Sequence, residues 1–458
     1  MVIIGGSSRS SANPPVETPN EFRLQHAIGI NDTSNVILLP NDDDSDTVSI
    51  VASVGQQVST INVADGSMHC LKNLSNAKIT CLILSPNKSY IAICTRVGDE
   101  NQITITTPTG KDAKIFRSES VGPITTASFS ADSKQIVLAS SNFVEVWQWE
   151  KDALRVSGSV PDGRHIVRIQ CSPLLLLESG MPLITTSGKS HMRIWSASSK
   201  DRISNKTIMT IPKEEQSNNF IDHIWVSGQS GDGTWRLAAV ASSETGEQTI
   251  LVFSFSGAEN SSSPTVRTPV FIPLAVIEPG TIIHCISTFA DGFVVAGSHG
   301  FIGLFQRDCS TFSQIGSACM SSDDEFKCIS SHSEKALFAS KNKRFHMCSW
   351  QSALKNGNLG DIHEVVVGGF HGGSIIAAAF AKARPFMITA GSDKCVRAWL
   401  VHRIELTIFY FTMHIFDSHQ QPFWLLFRDL ITNKCIAMVQ FPEVPRDVSF
   451  HPGGLQVS

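Results

Sequence analysis

The feature that most constrains the fold is a unit of short apolar strands and tight turns that recurs along the chain. In each unit an apolar strand end is followed by a polar turn, and successive copies lie ~40–45 residues apart. Such a spacing predicts a series of small sheets with about four strands each. The strand ends that mark this repeat are Leu84, Phe129, Ile169, Phe289, Ile329, Phe380 and Phe450.

Repeats of this length are typical of the blades of a β-propeller, in which each blade is one small sheet. Seven units precede position 365, a number at which a ring of blades closes comfortably. An eighth unit starts at His371, and a ninth, Asp447–Ser458, holds only one strand and a turn. We therefore predict an all-β fold, a seven-bladed propeller followed by the incomplete start of a second one. The seven units begin near Asn35, Ala77, Gly122, Arg164, Asn219, Leu274 and Glu325.

The eighth unit carries the clearest set of polar positions. His371 precedes its first strand, Thr389 lies in the second, Asp393 in the next turn and Trp399 in the third. These four side chains can hydrogen-bond in a chain that fixes the turn and satisfies buried polar groups. Their types and spacings resemble the tetrad of WD40-type propellers, although Leu400 follows the Trp where that repeat has Asp. We predict a structural and not a catalytic role for the four residues.

Two other units share the strand, turn and strand pattern of the eighth but lack its turn aspartate. Lys189 and His299 stand where Asp393 stands, while the aromatic residues Trp195 and Phe305 remain at the tryptophan position. We expect that the polar tetrad is lost from these two units and that aromatic packing persists.

The units divide the chain into three regions. Residues 1–21 are rich in Ser, Pro and Asn and are predicted to form a disordered leader. Residues 22–364 form the seven-bladed propeller, and residues 365–458 form a partial second propeller of one blade plus a fragment. An atypical insertion at 401–427 interrupts that blade, since removing it restores the repeat period. The insertion is either a retained intron translated in frame or a genuine strand pair of the family.

Ring closure and strand position give further expectations. An open ring leaves unpaired sheet edges, so the first and last blades are expected to share a sheet. Residues 22–30 are one candidate donor of the missing strand to the seventh blade, and residues 363–367 are the competing one. Continuous apolar runs predict innermost strands that are buried on both faces. These runs are Thr125–Phe129, Ile282–Ile286 and Ile375–Phe380.

Composition and motifs disfavour several functions. A net charge of −4 gives no bulk attraction to nucleic acid, and no apolar stretch is long enough to span a membrane. Eleven cysteines without a C-x-x-C pair indicate a reducing compartment and the cytoplasm. Phosphate-binding loops and a G-x-S-x-G nucleophile motif are missing, so we predict no enzyme activity, cofactor or small-molecule substrate. The three histidines of the insertion do not have metal-ligand spacing: His402, His414 and His419.

A set of short motifs in fixed order resembles the N-terminal part of the cilia- and flagella-associated protein fifty-seven family, which are axonemal WD-repeat proteins. These motifs are Gln25–Ile30, Leu84–Asn87 with Tyr90–Ala92, Ser128–Lys134, Trp147–Lys151, His223–Val226, Ala339–Asn342 and Ser449–Gly454. The resemblance implies a WD-repeat scaffold of the cilium or flagellum. Its implied partners are axonemal dynein components and doublet microtubule proteins. The family's coiled coil has no counterpart in this sequence.

The predicted function is a non-enzymatic scaffold that docks or assembles inner dynein arm components on the axoneme, a cytoskeletal location. The alternative within the same fold is a WD-repeat adaptor of another cytosolic complex, in ubiquitin ligation or RNA processing. Basic turns at Lys341–Arg344 and Lys382–Arg384 are either solvated faces or contacts to an acidic filament surface.

Overall fold

The structure is a computed structural model of all 458 residues. It describes the residues 2–4, 26–28, 30, 35–40, 48–64, 68–71, 77–160, 163–175, 181–197, 203–210, 219–226, 235–256, 265–266, 270–272, 280–289, 292–308, 311–320, 324–332, 334–350, 359, 362–365, 370–381, 386–400, 414–415, 435–449 and 456–457.

The described chain folds into consecutive antiparallel sheets whose strands follow chain order, except that Val270–Ile272 pairs with Gln248–Ser256. Sheet 1 contains Val36–Pro40, Val48–Val54, Gln57–Asn62 and Met68–Cys70. Sheet 2 contains Lys78–Leu84, Ile91–Val97, Glu100–Thr106 and Lys114–Ser118. Sheet 3 contains Thr126–Phe129, Ile136–Ala139, Phe143–Gln148 and Ala153–Ser159. Sheet 4 contains Ile166–Leu175, Pro182–Gly188, His191–Ala197 and Ile203–Thr210.

Four further sheets follow the same plan. Sheet 5 contains Asn219–Val226, Trp235–Ser242, Gln248–Ser256, Thr265–Val266 and Val270–Ile272. Sheet 6 contains Ile283–Phe289, Gly292–Gly297, Phe301–Asp308 and Thr311–Cys319. Sheet 7 contains Phe326–His332, Lys335–Ser340, Phe345–Ser349 and His363–Glu364. Sheet 8 contains Ile375–Phe380, Phe386–Gly391, Cys395–Leu400 and Cys435–Gln440. Two 3-10 turns, Trp149–Lys151 and Ser298–Gly300, also occur in the described part.

Sheets 1 to 7 form a closed ring. The first strand of each sheet lies beside the first strands of its two neighbours, and sheet 7 contacts sheet 1 in the same way. Each of the seven junctions has its own buried apolar cluster. This arrangement is a β-propeller with the first strands around its axis, and it confirms the predicted fold class and the seven units that the period indicated.

The ring closes without the shared sheet that we expected. His363–Glu364 supplies the fourth strand of sheet 7, so the competing donor provides it and residues 22–30 do not. His26–Ile28 instead pairs with Val2–Ile4, which places part of the predicted leader in a strand. Side chains join sheets 7 and 1: the Leu38 N–H donates to Ser330 Oγ at 2.8 Å, and Cys328 Sγ donates to the Val36 carbonyl. Packing of complete sheets is therefore sufficient for closure.

Sheet 8 lies outside the ring and contacts the junction of sheets 7 and 1. Its Met387 and Trp399 belong to the apolar cluster of that junction. Phe370 connects the two parts, with its ring centroid 6.4 Å from Phe345 and 6.3 Å from Trp399. The strand Cys435–Gln440 pairs with the third strand and completes the sheet on the far side of residues 401–427. Of these inserted residues the structure describes only His414–Ile415, which pairs with Gln456–Val457.

The first strands differ in burial between the ring and sheet 8. Thr126–Phe129 and Ile283–Phe289 lie between neighbouring first strands around the axis, as the apolar runs predicted. In Ile375–Phe380, alternate residues are exposed instead, with Ile376 at 46% and Phe380 at 51%. The expectation of burial on both faces is wrong for this strand, because it has no second propeller blade beside it in the described chain.

Candidate functional site

The structure brings the four predicted tetrad residues together in sheet 8. Trp399 Nε1 donates to Thr389 Oγ1 at 2.7 Å, and Thr389 Oγ1 lies 2.7 Å from His371 Nε2. His371 Nδ1 in turn lies 3.0 Å from Asp393 Oδ1. The four side chains thus form one continuous chain from the third strand to the turn that follows the second.

The direction of the hydrogen bonds follows from the two ends of the chain. At one end the indole N–H of Trp399 can only donate, and Thr389 accepts from it. At the other end the Asp393 carboxylate can only accept, so His371 donates from Nδ1 and its Nε2 accepts the hydroxyl proton of Thr389. One tautomer satisfies the whole chain, so the network fixes the imidazole and the loop that carries it.

Arg397 extends this network, and the sequence interpretation did not include it. Its Nη1 donates to Asp393 Oδ2 at 2.8 Å, and the residue is buried. The same Nη1 lies 2.7 Å from His371 Nδ1, which already carries a proton and does not accept from it. The Gly372 N–H also donates to Asp393 Oδ2, at 2.9 Å. Burial alone would raise the pKa of Asp393, but the bonds from His371 and Gly372 and the charge of Arg397 bring that pKa below its ordinary value.

Gly391 leaves the space that the network occupies. A Cβ at this position would overlap His371 Nδ1 and Asp393 Oδ1. The next residues turn the chain, and Lys394 adopts a left-handed backbone conformation with φ 62°. A glycine at the end of the second strand therefore belongs to the site as much as the four side chains do.

Sheet 4 retains a polar chain where we expected none. Trp195 Nε1 donates to Thr186 Oγ1 at 2.8 Å, and Thr186 Oγ1 lies 2.8 Å from Nε2 of His191. Here the histidine comes from the third strand and not from the loop before the first. The expected loss of the tetrad is therefore correct for the aspartate but wrong for the Trp, Thr and His chain.

The sequence alignment obscured this chain because the turn of sheet 4 is one residue shorter. Register pairs Thr186 with Arg193, as it pairs Thr389 with Arg397 in sheet 8. When the two sequences are aligned without a gap, Thr185 and not Thr186 stands opposite Thr389. Sheet 6 differs again, since Phe293 and Phe305 stack there with centroids 4.9 Å apart and an interplanar angle of 13°.

A second buried histidine links sheets 4 and 5. His223 Nε2 lies 2.8 Å from Thr185 Oγ1, and its Nδ1 lies 2.8 Å from Ser187 Oγ. Trp225 Nε1 also donates to Thr185 Oγ1, at 3.2 Å. Burial, assisted by the charges of Arg168 and His191, lowers the pKa of His223 to about 3. This imidazole is therefore neutral at physiological pH, and its hydrogen bonds connect sheets 4 and 5.

Burial also indicates what the tetrad can do. His371, Thr389 and Trp399 are buried, and Asp393 is only slightly exposed and fully hydrogen-bonded. A substrate has no access to the imidazole, whose two nitrogens already have partners. The arrangement fits the predicted structural role, in which the chain holds a loop against a sheet.

The candidate interaction surface is one face of the ring. We call it the entry face, formed by the connections before each first strand and the turns between second and third strands. Val97 and Val121 belong to it and are 51% and 85% exposed, and Arg96 Nη1 joins them by donating to the Val121 carbonyl. Among the described residues, the large exposed apolar residues of these connections and turns are Val97, Val121, Ile282 and Met320, and Val167 lies next to them at the start of the first strand of sheet 4. Sequence patterning could not find them because single exposed apolar residues carry no periodic signal.

Charged residues on the entry face are largely paired. Glu325 lies 3.0 Å from His284 Nε2 and 3.3 Å from Lys341 Nζ, and it also contacts Lys327. The hydrogen bond from Lys327 is the main cause that lowers the pKa of Glu325 to about 2. The basic turn Lys341–Arg344 therefore has a carboxylate partner of its own, whereas the turn 382–384 lies outside the described residues.

Metal sites and membrane spans are two further kinds of feature to consider in the described residues. His, Cys, Asp and Glu side chains form no group of three or more there that could hold a metal ion. In the same part of the chain, no helix has the length and apolar character needed to cross a membrane. His402 and His419 lie outside the described residues.

Comparison with known proteins finds likeness among solved structures. No family model matches the chain. No curated protein matches it either. Among solved structures, the chain is similar to the β-propeller domain of Cps50 (Swd1) from Myceliophteria thermophila, at 12% identity and a TM-score of 0.45. The likeness covers 68% of this chain and 93% of that one. The assignment as a propeller rests on the closed ring of sheets.

Proposed function

We propose that this chain is a non-enzymatic scaffold of the ciliary or flagellar axoneme. Its task is to dock or assemble inner dynein arm components on doublet microtubules. The observation that carries the scaffold part is the closed ring with exposed apolar side chains on its entry face. The ordered sequence motifs that resemble an axonemal WD-repeat family support the location.

A rigid ring that presents many short loops suits protein binding. The junction clusters hold the sheets in place, so the loops of the entry face keep a fixed spacing. Exposed apolar residues such as Val121 are the kind of side chain that a partner buries on binding. The polar networks of sheets 4 and 8 are internal, and their hydrogen bonds serve the sheets themselves.

Proximity labelling tests the proposal. The full chain is fused to a labelling enzyme and expressed in a ciliated cell, and the biotinylated neighbours are identified by mass spectrometry. We expect axonemal dynein subunits and doublet microtubule proteins among them. Neighbours from a ubiquitin ligase or from nuclear RNA-processing complexes would instead support the adaptor alternative and sink the axonemal proposal.

A pair of variants tests whether the entry face does the docking. Val97→Glu combined with Val121→Glu places two charges on exposed positions and should remove the partner proteins from the labelled set. Ile115→Glu is the matched control, because Ile115 is 52% exposed but lies on the fourth strand of sheet 2, away from the entry face. Loss of the same neighbours with the control variant would contradict the assignment of this face.

A further inference from the structure

Arg168 places a positive charge in the axial channel of the ring. It lies on the first strand of sheet 4, and first strands surround the axis. Its ion-pair partner Asp222 lies on the first strand of sheet 5 and accepts the N–H of Ile286 on the first strand of sheet 6. The guanidinium is therefore paired with a carboxylate on the inner strands, beside the axis of the ring.

The guanidinium is held by one carboxylate. Arg168 Nε lies 3.2 Å from Asp222 Oδ1, and within the described residues Asp222 is its ion-pair partner. Asp222 also accepts the N–H of His223 at 2.9 Å and the N–H of Ile286 at 3.2 Å. The carboxylate therefore accepts two main-chain hydrogen bonds in addition to the ion pair, and the two terminal nitrogens of Arg168 retain hydrogen-bonding capacity.

Arg168 is open to solvent although the ring encloses it. Its side chain is 46% exposed, compared with 11% for Asp222. The nearby Cys285 thiol adds no negative charge at neutral pH, because burial raises its pKa well above its ordinary value. An anion that enters the channel thus meets an accessible cation in a partly desolvated site, where a charge-assisted bond is strong.

Apolar side chains stand at the mouth of the same channel. Val167 precedes Arg168 in the chain, and Ile282 precedes the first strand of sheet 6; both are 48% exposed. The nearby cations Lys327 and Lys341 are occupied by Glu325, so they do not provide a competing anion site. A ligand that satisfies all of these groups has a carboxylate between apolar neighbours.

We propose that the mouth of the axial channel binds an acidic side chain of a partner polypeptide. The carboxylate pairs with the terminal nitrogens of Arg168, a geometry that arginine favours. Aliphatic residues on either side of that carboxylate pack on Val167 and Ile282. The inference rests on the proposed scaffold function and names the chemistry of its partner.

Peptide selection tests the proposal on the full chain. A random-sequence peptide library displayed on phage is selected on the folded protein, and enriched sequences are read out. We expect enrichment of Asp or Glu flanked by Val, Ile or Leu. The best peptide is then synthesised in two forms, one with its Asp or Glu and one with the corresponding Asn or Gln. The affinity of the amide form should be lower by about tenfold or more.

Variants of the channel complete the test. Arg168→Met combined with Asp222→Asn removes the ion pair without leaving a lone buried charge. This double variant should lower the affinity for the acidic peptide by about tenfold or more. Arg168→Lys keeps the positive charge but loses the planar guanidinium that binds a carboxylate through two nitrogens, so it should bind the peptide with intermediate affinity. This single variant keeps the proposal testable if the double variant does not fold. Arg117→Gln, on the outer strand of sheet 2, should bind as the wild type does.

Selected peptides without acidic residues would overturn the proposal. So would equal affinity for the acid and amide peptides, or unchanged binding by the Arg168 variants. The result is separable from the axonemal assignment. If acidic peptides bind through Arg168 while proximity labelling finds no axonemal neighbours, the proposed channel site is supported and the proposed axonemal location is contradicted.

Discussion

Sheets 4 and 8 hold the loop before their first strand in two different ways. In sheet 8 the loop carries His371, and its imidazole fills the space above Gly391. In sheet 4 the loop backbone itself occupies the matching space, because a Cβ on Gly188 would overlap the carbonyl oxygen of His165. Both second strands end in a glycine. The missing side chain of Gly391 leaves room for the polar network, whereas that of Gly188 leaves room for the main chain of the preceding loop.

The difference matches the surroundings of each sheet. Sheet 4 lies between sheets 3 and 5, which supply apolar clusters on both of its faces. Sheet 8 has one such contact, at the junction of sheets 7 and 1, and leaves Ile376 and Phe380 exposed. We infer that a sheet with few neighbours depends more on its own polar network, whereas a sheet inside the ring relies on packing.

The largest expected effect comes from the two glycines. Gly188→Ala forces a methyl group against a main-chain carbonyl and should lower the free energy of unfolding by about 3 kcal/mol. Gly391→Ala meets movable side chains, so it should cost less and should disturb the tetrad. Chemical denaturation measures both. Gly122→Ala is the control, since its Cβ would meet only Ser140 at 3.6 Å; equal losses for all three would contradict the comparison.

Removal of the turn carboxylate should affect sheet 8 alone. Asp393→Ala leaves the His371 Nδ1–H and the Gly372 N–H without their acceptor and should cost about 2 kcal/mol. Hydrogen exchange should become faster in Phe386–Leu400 and stay unchanged in sheet 4. Lys189→Ala, at the matching turn of sheet 4, should change stability little. Faster exchange throughout the ring would show that the tetrad of sheet 8 supports more than its own sheet.

The buried His223 between sheets 4 and 5 and the tetrad of sheet 8 should make stability depend on pH in different ranges. His223 has a folded pKa of about 3, against about 6.5 in the unfolded chain. The folded state therefore binds fewer protons, so its stabilisation is complete above about pH 6.5 and is lost as the pH falls toward 3. Asp393 has a depressed pKa, so its contribution persists down to about pH 3.9, the pKa of an unfolded Asp.

Denaturation at pH 7 and pH 5 measures this difference. We expect the ring to lose about 2 kcal/mol of stability through His223 over that interval. His223→Gln should flatten the profile, whereas Asp393→Asn should leave its slope between pH 7 and pH 5 unchanged. A His223→Gln variant with the full pH dependence of the wild type would refute the assignment to this imidazole.

The smallest expected effect concerns the indole donors. Trp399→Phe and Trp195→Phe each remove one hydrogen bond to a buried threonine and should cost about 1 kcal/mol. Similar values in urea denaturation would show that the Trp and Thr step is equivalent in both sheets. A much larger loss for Trp399→Phe would show that the missing ring neighbours make sheet 8 more sensitive.

Sequence patterning predicted the elements that depend on local periodicity. Six of the seven predicted unit starts lie at or shortly before a first strand, and the four tetrad residues of sheet 8 come together as strand length, turn residues and spacing predict. The sixth predicted start, Leu274, lies outside the described residues, and the first strand of that unit begins at Ile283. His191 and Arg397 were missed because register, and not sequence spacing, brings them to Thr186 and Asp393. The donor of the last strand in sheet 7 and the channel position of Arg168 depend on how distant sheets meet, which no local pattern encodes.

Hydrogen exchange at the Leu38 amide tests the closed ring most directly. Leu38 is in sheet 1, and its N–H donates to Ser330 Oγ of sheet 7, so its protection requires the junction of the first and last sheets. A closed ring predicts slow exchange at Leu38, comparable with Ile93 in the buried second strand of sheet 2, and faster exchange after Ser330→Ala. Rapid exchange at Leu38 in the wild type, with Ile93 still protected, would show that the ring is open.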